Sequence, residues 1–254
     1  MALADFQAAL GRLVQVAPGA TPHIDLSSAE QASLERLEPS AGLRLTAAVQ
    51  RSWCEGRAAR AARLTLSALP IADRQRLLAR WIGRSGGTSS FFAAEAEAFL
   101  TFIERHLPAR SHIRALCQLE RATIRAGDGA AEREQARAGP ADAWAFHPSE
   151  RLSATAGVGR GRYADLVEFW ADPSMLIPAF YGEAELPPVA SAATPMLFAP
   201  DIEGYCRPAS AEEVALWRCL AEPVSLAAVL TRGVSPSTIR TLVREGALRL
   251  STNY

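Results

Sequence analysis

Apolar residues recur at every third or fourth position through the first half of the chain, which predicts a series of amphipathic helices between residues 2 and 126. The longest of them, at about residues 43–69, carries Leu45, Val49 and Trp53 at four-residue spacing. Its second half is rich in alanine, the residue with the highest helix propensity. Glycines between residues 127 and 139 predict a linker or a loosely helical connection. Residues 1–140 are therefore predicted to form an all-helical bundle.

The hydrophobic pattern changes after residue 140. Residues 151–156 and 162–170 have the character of strands and flank a glycine-rich segment at 157–161, which predicts a β-hairpin. A short helix is predicted from Asp172 to Phe180, and a segment rich in proline, alanine and serine follows at 187–195. The predicted fold class is α+β, in which the helical bundle is followed by a small mixed α/β domain at residues 141–254.

Residues 195–254 predict a small module of their own. Two short extended segments on either side of a turn at 201–204 predict a second hairpin, and nearby prolines limit its length. Ser210 and Glu213 form the capping-box pattern of a first helix, a second short helix covers 226–230, and Ser235 caps a third. A strand-like segment closes the chain. This order is typical of a winged-helix-like module, which either inserts its third helix into DNA or captures an extended peptide at a sheet edge.

Composition and charge indicate the compartment of the protein and one possible docking surface. The 254 residues contain neither an apolar run long enough to span a membrane nor a signal-peptide pattern, and the four cysteines lie far apart. These features predict a cytoplasmic protein with reduced thiols. All 27 basic residues are arginine, which we attribute to nucleotide composition, and they balance 27 acidic residues. Arg51 to Arg84 contains eight arginines against Glu55 and Asp73, and this basic run is either a solvated helix face or a docking surface for an acidic partner.

The sequence lacks a convincing catalytic or metal-binding pattern. His106, His112 and Cys117 are close in sequence, but their spacing matches no zinc site. The glycines at 157–161 lack the Lys-Ser/Thr ending of a phosphate-binding loop. Glu95 lies on an aromatic helix face, where an arginine-paired structural carboxylate is favoured over a catalytic acid. We therefore predict no catalytic residue, no metal ligand and no cofactor in this chain.

Several motifs resemble those of one family of partner proteins. They cover Arg51–Ser67, Gly86–Leu100, Leu116–Ala122, Leu197–Gly204 with Arg207–Ala209, and Glu213–Trp217. The segments are similar to partner subunits of multinuclear non-haem iron enzymes of the DUF692 family, which oxidatively modify ribosomally made peptides. The family includes the partner subunits of 3-thiaglutamate biosynthesis (TglI-like) and of methanobactin biosynthesis (MbnC-like).

The resemblance implies a non-catalytic subunit that forms a heterodimer with the iron enzyme and holds the leader segment of the precursor peptide. The iron and the catalytic residues would lie in the partner, and the chemistry implied is a cysteine modification of the 3-thiaglutamate type. The alternative is a transcription regulator that reads DNA with its winged helix. Six arginines against six acidic residues in 195–254 supply little of the phosphate neutralisation that DNA binding needs.

A strand edge in the terminal module is the expected peptide site, bounded by the hairpin 196–207 and the third helix at 236–245. The candidate peptide contacts are Met196, Phe198, Tyr205, Arg240, Leu242 and Arg244. The face taken by each strand residue depends on the register, since a shift of one residue inverts the strand. The candidate contacts with the enzyme are Arg51, Trp53, Arg57 and Arg60, because tryptophan and arginine are enriched at the centres of protein interfaces.

Overall fold

A computed structural model of the chain describes residues 3–15, 26–83, 92–138 and 156–251. The chain divides into two compact units, Met1–Ile103 (the first unit) and Glu104–Tyr254 (the second unit). The described residues form helices and two three-stranded antiparallel sheets, which confirms a mixed α+β protein. The predicted domain boundary at residue 140 and the strand residues 151–155 lie outside the described residues.

Helices build the described part of the first unit. They are α1 (Leu3–Gln15), α2 (Ser28–Leu37), α3 (Ala41–Ala61), α4 (Arg63–Ala68), α5 (Ile71–Ile82) and α6 (Phe92–Glu104), which reaches the boundary with the second unit. α1 and α5 both pack against α3. Trp81 of α5 contacts Phe99 and Phe102 of α6, with ring centroids 5.3 and 5.4 Å apart. The core of this unit is therefore partly aromatic, as the aromatic helix face around Glu95 predicts.

The second unit combines helices and strands. Its elements are α7 (His112–Ala138), β1 (Gly157–Arg160), β2 (Asp165–Phe169), α8 (Pro173–Phe180), β3 (Thr194–Phe198), a 3₁₀ turn (Glu203–Tyr205), β4 (Cys206–Pro208), α9 (Ala211–Cys219), β5 (Val224–Ser225), α10 (Leu226–Thr231), α11 (Pro236–Arg244) and β6 (Leu248–Ser251). The strands form one sheet in the order β2-β3-β4 and another in the order β5-β1-β6. The second predicted hairpin is confirmed as β3 and β4.

The sheet β2-β3-β4 lies between two helical layers. On one face, Val167, Phe169 and Phe198 pack in a cluster with residues of α7 and α8. On the other face, Leu197 packs with the buried residues of α9, α10 and α11, among them Leu242. Because successive strand side chains point to opposite faces, this short sheet contributes to two cores.

The glycine-rich segment 157–161 is wrongly predicted as a hairpin turn. Residues 157–160 are instead β1, the central strand between β5 and β6, and β1 does not pair with β2. Gly161 shows why small residues are needed here. Its N–H donates to the Ala247 carbonyl at 2.8 Å, and a Cβ at Gly161 would lie 2.1 Å from the Gly246 carbonyl oxygen. The glycines therefore allow close approach of two backbone segments.

α7 is longer than the sequence predicts, because it continues through Gly127 and Gly129 to Ala138. A Cβ at Gly129 would lie only 2.7 Å from atoms of Tyr163 and Pro200. The missing side chain lets α7 pack closely on the segments that flank β2 and β3. A packing requirement, which the sequence alone does not reveal, keeps this glycine inside a helix.

Candidate functional site

The helices of residues 195–251 begin where the sequence predicts. The Ser210 hydroxyl accepts a bond from the Glu213 N–H, and the Glu213 carboxylate accepts one from the Ser210 N–H, at 3.2 and 2.7 Å. Ser235 caps α11 by accepting from the Thr238 N–H at 3.0 Å. Gly246, with a φ of +76°, ends α11 and turns the chain into β6. The hairpin, the three helices and the closing strand are therefore present as separate elements.

Arg207 of β4 joins three elements of the second unit. Its guanidinium donates to both oxygens of Glu245, at the end of α11, at 2.9 and 2.7 Å. It also donates to both oxygens of Glu213 in α9, at 3.0 and 2.6 Å. The side chains are 27% exposed for Arg207, 10% for Glu213 and 16% for Glu245. Two bidentate contacts in a largely buried setting make this cluster a structural clamp.

The contacts within the clamp shift the pKa values of Arg207 and Glu213. Burial alone raises the pKa of Glu213, but the hydrogen bonds from Arg207 and from the Ser210 N–H outweigh it and hold that pKa below its ordinary value. Hydrogen bonds to Glu213 and Glu245 raise the pKa of Arg207 further above its usual range. Arg207 and Glu213 are therefore both charged near neutral pH, as expected for a structural ion pair.

Met196 and Phe198 do not line a groove beside α11. Both lie on the β3 face that packs against α7 and α8, and Phe198 is 1% exposed. The register of β3 with β4 pairs Leu197 with Arg207, and it is this pair that faces the α9–α11 layer. The prediction placed these two strand residues on the wrong face, which is the inversion that a one-residue uncertainty allows.

The other predicted peptide contacts are also dispersed. Tyr205 is half-buried at the α7 side, where its Cε2 would lie 4.0 Å from a Cβ at Gly127. Leu242 is 2% exposed and belongs to the core between the helices and the sheet, so it cannot contact a peptide as predicted. Arg240 and Arg244 lie exposed on α11. The structure therefore does not bring the six residues together.

The free edge of β4 offers few backbone groups. Ala199 N–H donates to the Tyr205 carbonyl and Ala209 N–H to the Pro195 carbonyl, both at 3.0 Å. By the alternation of an antiparallel ladder, the groups of Cys206 and Pro208 then face away from β3. Pro208 has no N–H, and its carbonyl already accepts from Arg207 at 3.0 Å. Within the described residues, only Cys206 is left with both groups on this edge.

The free edge of β6 offers more backbone N–H and C=O groups than the free edge of β4. β6 is the last strand of the sheet β5-β1-β6 among the described residues. The bond from the Gly161 N–H to the Ala247 carbonyl sets the alternation, so Arg249 and Ser251 face β1. Leu248 and Leu250 therefore direct an N–H and a C=O each, four groups in all, toward the outer edge. Sequence patterns do not identify this edge, because it depends on the pairing of β6 with β1.

The second unit also contains a cleft of about 310 Å³ between the β2–β3 sheet and α9. An ion pair between Arg218 and Glu168, at 2.7 Å, lies in its wall. The remaining lining is small and mostly apolar, from Ala193, Pro195, Ala211, Val214 and Ala215. Its carboxylate, Glu168, is paired with Arg218, and the mostly apolar remainder of the lining suits an apolar side chain.

The predicted enzyme contacts lie on α3 and differ in their surroundings. Trp53 is 67% exposed, and Arg51 and Arg60 are also exposed. Arg57, in contrast, contacts the carboxylate of Glu95 at 2.5 Å, and Glu95 is 5% exposed. The predicted pairing of Glu95 with an arginine is confirmed. Burial raises the pKa of Glu95 and Arg57 opposes that shift, which gives Arg57 a structural role.

Within the described residues, histidine, cysteine and carboxylate side chains do not gather in any group of three that could hold a metal ion. The His112 Nε2 donates to the Pro187 carbonyl at 2.9 Å, and the ring is buried. Cys117 is buried and is not part of a disulfide. A membrane-crossing helix would need a longer apolar run than any helix in the described ranges provides.

Comparison of the chain with protein-family models finds no match, and comparison with curated proteins finds none either.

Proposed function

We propose that this chain is a non-catalytic peptide-recognition subunit. It binds the leader of a ribosomally made precursor peptide as an additional strand. It then presents the peptide to an iron-dependent oxidative enzyme of the DUF692 family, which carries out a cysteine modification of the 3-thiaglutamate type. The family resemblance of the sequence motifs supports the enzyme class. The free edge of β6 is the single structural observation that carries peptide binding.

The arrangement of the second unit supports a winged-helix-like module. The order α9, β5, α10, α11, β6 follows the helix–strand–helix–helix–strand order of winged helices. β1, from earlier in the chain, occupies the central place between β5 and β6 where the returning wing strand of such a module lies. Arg160 of β1 donates to the Trp217 carbonyl of α9 at 3.1 and 2.6 Å, which attaches this strand to the helices.

A peptide strand on β6 is expected to bind with about micromolar affinity. The groups of Leu248 and Leu250 support four backbone hydrogen bonds, each worth about 0.5–1.5 kcal/mol net. The ordering of the peptide offsets much of this gain, so one or two apolar anchors are needed for affinity of about micromolar strength. The exposed arginines Arg240, Arg244 and Arg249 favour an acidic leader, with at most about 1 kcal/mol from each.

Proline substitution at the two edges tests this assignment. Leu250→Pro removes an outward N–H from β6, whereas Cys206→Pro removes the outward N–H of β4, and edge strands tolerate proline best. Binding of a fluorescently labelled acidic leader peptide is measured by anisotropy. Leu250→Pro should weaken binding at least tenfold and Cys206→Pro less than twofold. The reverse order places the peptide on β4, and no binding by the unaltered protein refutes the proposal.

The DNA-reading alternative is disfavoured by the N-terminus of α11. In a winged-helix reader this end of the third helix approaches base edges. Here the Glu212 carboxylate accepts from the Ser235 N–H at 2.7 Å and from the Thr238 hydroxyl at 2.9 Å. A carboxylate at that position repels phosphate and occupies the donors that would bind it. Salt-dependent binding of the purified chain to duplex DNA, lost in Arg240→Ala, would favour the alternative.

A further inference from the structure

We propose that the outward face of α3 is the surface on which the iron enzyme docks, and that the enzyme presents an apolar patch bordered by carboxylates. The identity of the partner rests on the proposed function. The surface itself is argued from the exposure, shape and charge of the first unit.

The outward face of α3 carries an apolar ridge made of Leu45, Val49 and Trp53. These side chains are 66%, 50% and 67% exposed. At about 100° per residue, four-residue steps keep all three on one side of the helix. Large apolar residues scattered singly on a surface are ordinary, but a contiguous row of them marks an interaction site.

The inward face of α3 explains why the ridge is exposed. Cys54, Ala58 and Ala61 are 5%, 2% and 6% exposed, and they lie on the opposite side of the helix from the ridge. Small side chains there permit close packing of the neighbouring helices. The packing of the first unit thus uses the small residues of α3 and leaves the large ones outside.

Gly56 adds to the ridge. It lies three residues after Trp53, and a Cβ built on it would meet no atom within 4 Å. A glycine inside a helix costs about 1 kcal/mol relative to alanine, and the packing of this chain gives no reason for it. Beside an exposed tryptophan, it leaves a flat place where the backbone of a partner can approach.

The charge of the helices α3 to α5 selects the partner. Between residues 44 and 80 the sequence has eight arginines and two acidic residues, Glu55 and Asp73. All of these arginines except Arg57 are exposed. A second copy of the chain would bring like charges together, so the ridge is poorly suited to self-association. An acidic border around an apolar patch is the complementary surface.

Matched variants of the full-length chain test the surface, with affinity for the purified enzyme measured by calorimetry. Trp53→Ala should weaken binding about 30-fold or more, as expected for an interface hot spot. Ile71→Ala removes another exposed side chain of the same unit, 73% exposed, and should change the affinity less than twofold. Arg60 lies on the side of α3 that carries the ridge, whereas Arg51 lies on the opposite side, about 180° away around the helix axis. Arg60→Glu should therefore weaken binding at least fivefold, and Arg51→Glu less than twofold.

The outcomes separate the two proposals. If the unaltered chain binds the enzyme and Trp53→Ala and Arg60→Glu bind equally well, the docking surface is wrong and the proposed function stands. If the unaltered chain does not bind the enzyme, the proposed function fails and the docking proposal fails with it. Sedimentation showing a dimer that Trp53→Ala converts to monomer would assign the ridge to a second copy and overturn the proposal. Circular dichroism and thermal unfolding that match those of the unaltered chain verify that each of the four variants is folded.

Discussion

Replacement of Arg207 by methionine should strongly destabilise the second unit. Methionine retains an unbranched apolar side chain but removes the guanidinium that bonds both Glu213 and Glu245. Two mostly buried carboxylates would then face each other without a counter-ion. Because an uncompensated buried charge is costly, the loss comes mainly from the carboxylates that remain.

The size of the effect follows from the burial of the cluster. Breaking a fully buried ion pair costs about 3–5 kcal/mol, and the 27%, 10% and 16% exposure of the three side chains places this cluster at the lower end. We expect about 3 kcal/mol, which corresponds to about 6–12 °C in melting temperature for a unit of this size. Arg218→Met is the matched control. Its ion pair with Glu168 is 68% and 36% exposed, and its loss should cost at most about 1 kcal/mol.

Thermal and urea unfolding, followed by circular dichroism, provide the assay. Adding Glu213→Gln and Glu245→Gln to Arg207→Met should recover most of the lost stability, because the unpaired charges disappear. The pKa of Glu213 is lowered in the fold, so its stabilisation is complete above its ordinary pKa and is lost as the pH falls through the folded pKa. Arg207→Met should remove this acid dependence. Equal losses in Arg207→Met and Arg218→Met would refute the reasoning.

Two further changes test the packing and the buried charge. Gly129→Ala should destabilise the second unit by about 1–3 kcal/mol through overpacking. Gly127→Ala in the same helix is the control and should stabilise the unit by up to about 1 kcal/mol. Equal changes in the free energy of chemical unfolding would contradict the close contact at Gly129. Burial raises the pKa of Glu95, so the first unit should lose stability as the pH rises through that pKa. Glu95→Gln should abolish this dependence, while Arg57→Met, which leaves the carboxylate unpaired, should cost about 2 kcal/mol at neutral pH. A pH profile unchanged in Glu95→Gln would show that the carboxylate is not held in this way.

Local signals in the sequence predicted the helix starts well, because a capping residue acts within its own turn. Ser210 and Ser235, the two predicted caps, each cap a helix in the structure. The ends and partners of elements set by distant contacts were harder to predict. The sequence predicts a linker or a loosely helical connection around Gly129 and a turn at Gly161, although both glycines permit close backbone approach. Whether a glycine breaks an element or allows contact is decided by a neighbour far away in sequence.

The candidate sites show the same division between local and distant information. Periodicity identified the row Leu45, Val49 and Trp53 but could not tell whether it faces the core or the solvent. Strand alternation identified Met196 and Phe198 as a pair on one face, but the sheet has helices on both faces and the chosen face was wrong. The β6 edge depends on pairing with β1, about 90 residues earlier, and such a pairing leaves no local pattern.

Arginine placement links the two proposed surfaces. The chain carries equal numbers of basic and acidic residues, so its net charge of zero predicts no preference for an acidic partner. In the described structure, however, acidic side chains are bound in clamps, by Arg207 with Glu213 and Glu245, and by Arg114 and Arg121 with Glu104.

Each clamp satisfies carboxylates inside the fold and leaves other arginines without an ion pair among the described residues. Several of those arginines lie on α3 to α5 and on α11 with β6, for example Arg60 and Arg244. A neutral protein can in this way present two basic surfaces, one beside an apolar ridge and one beside an open strand edge. An acidic enzyme surface and an acidic leader would then bind different units of the chain, and raised salt should weaken both interactions.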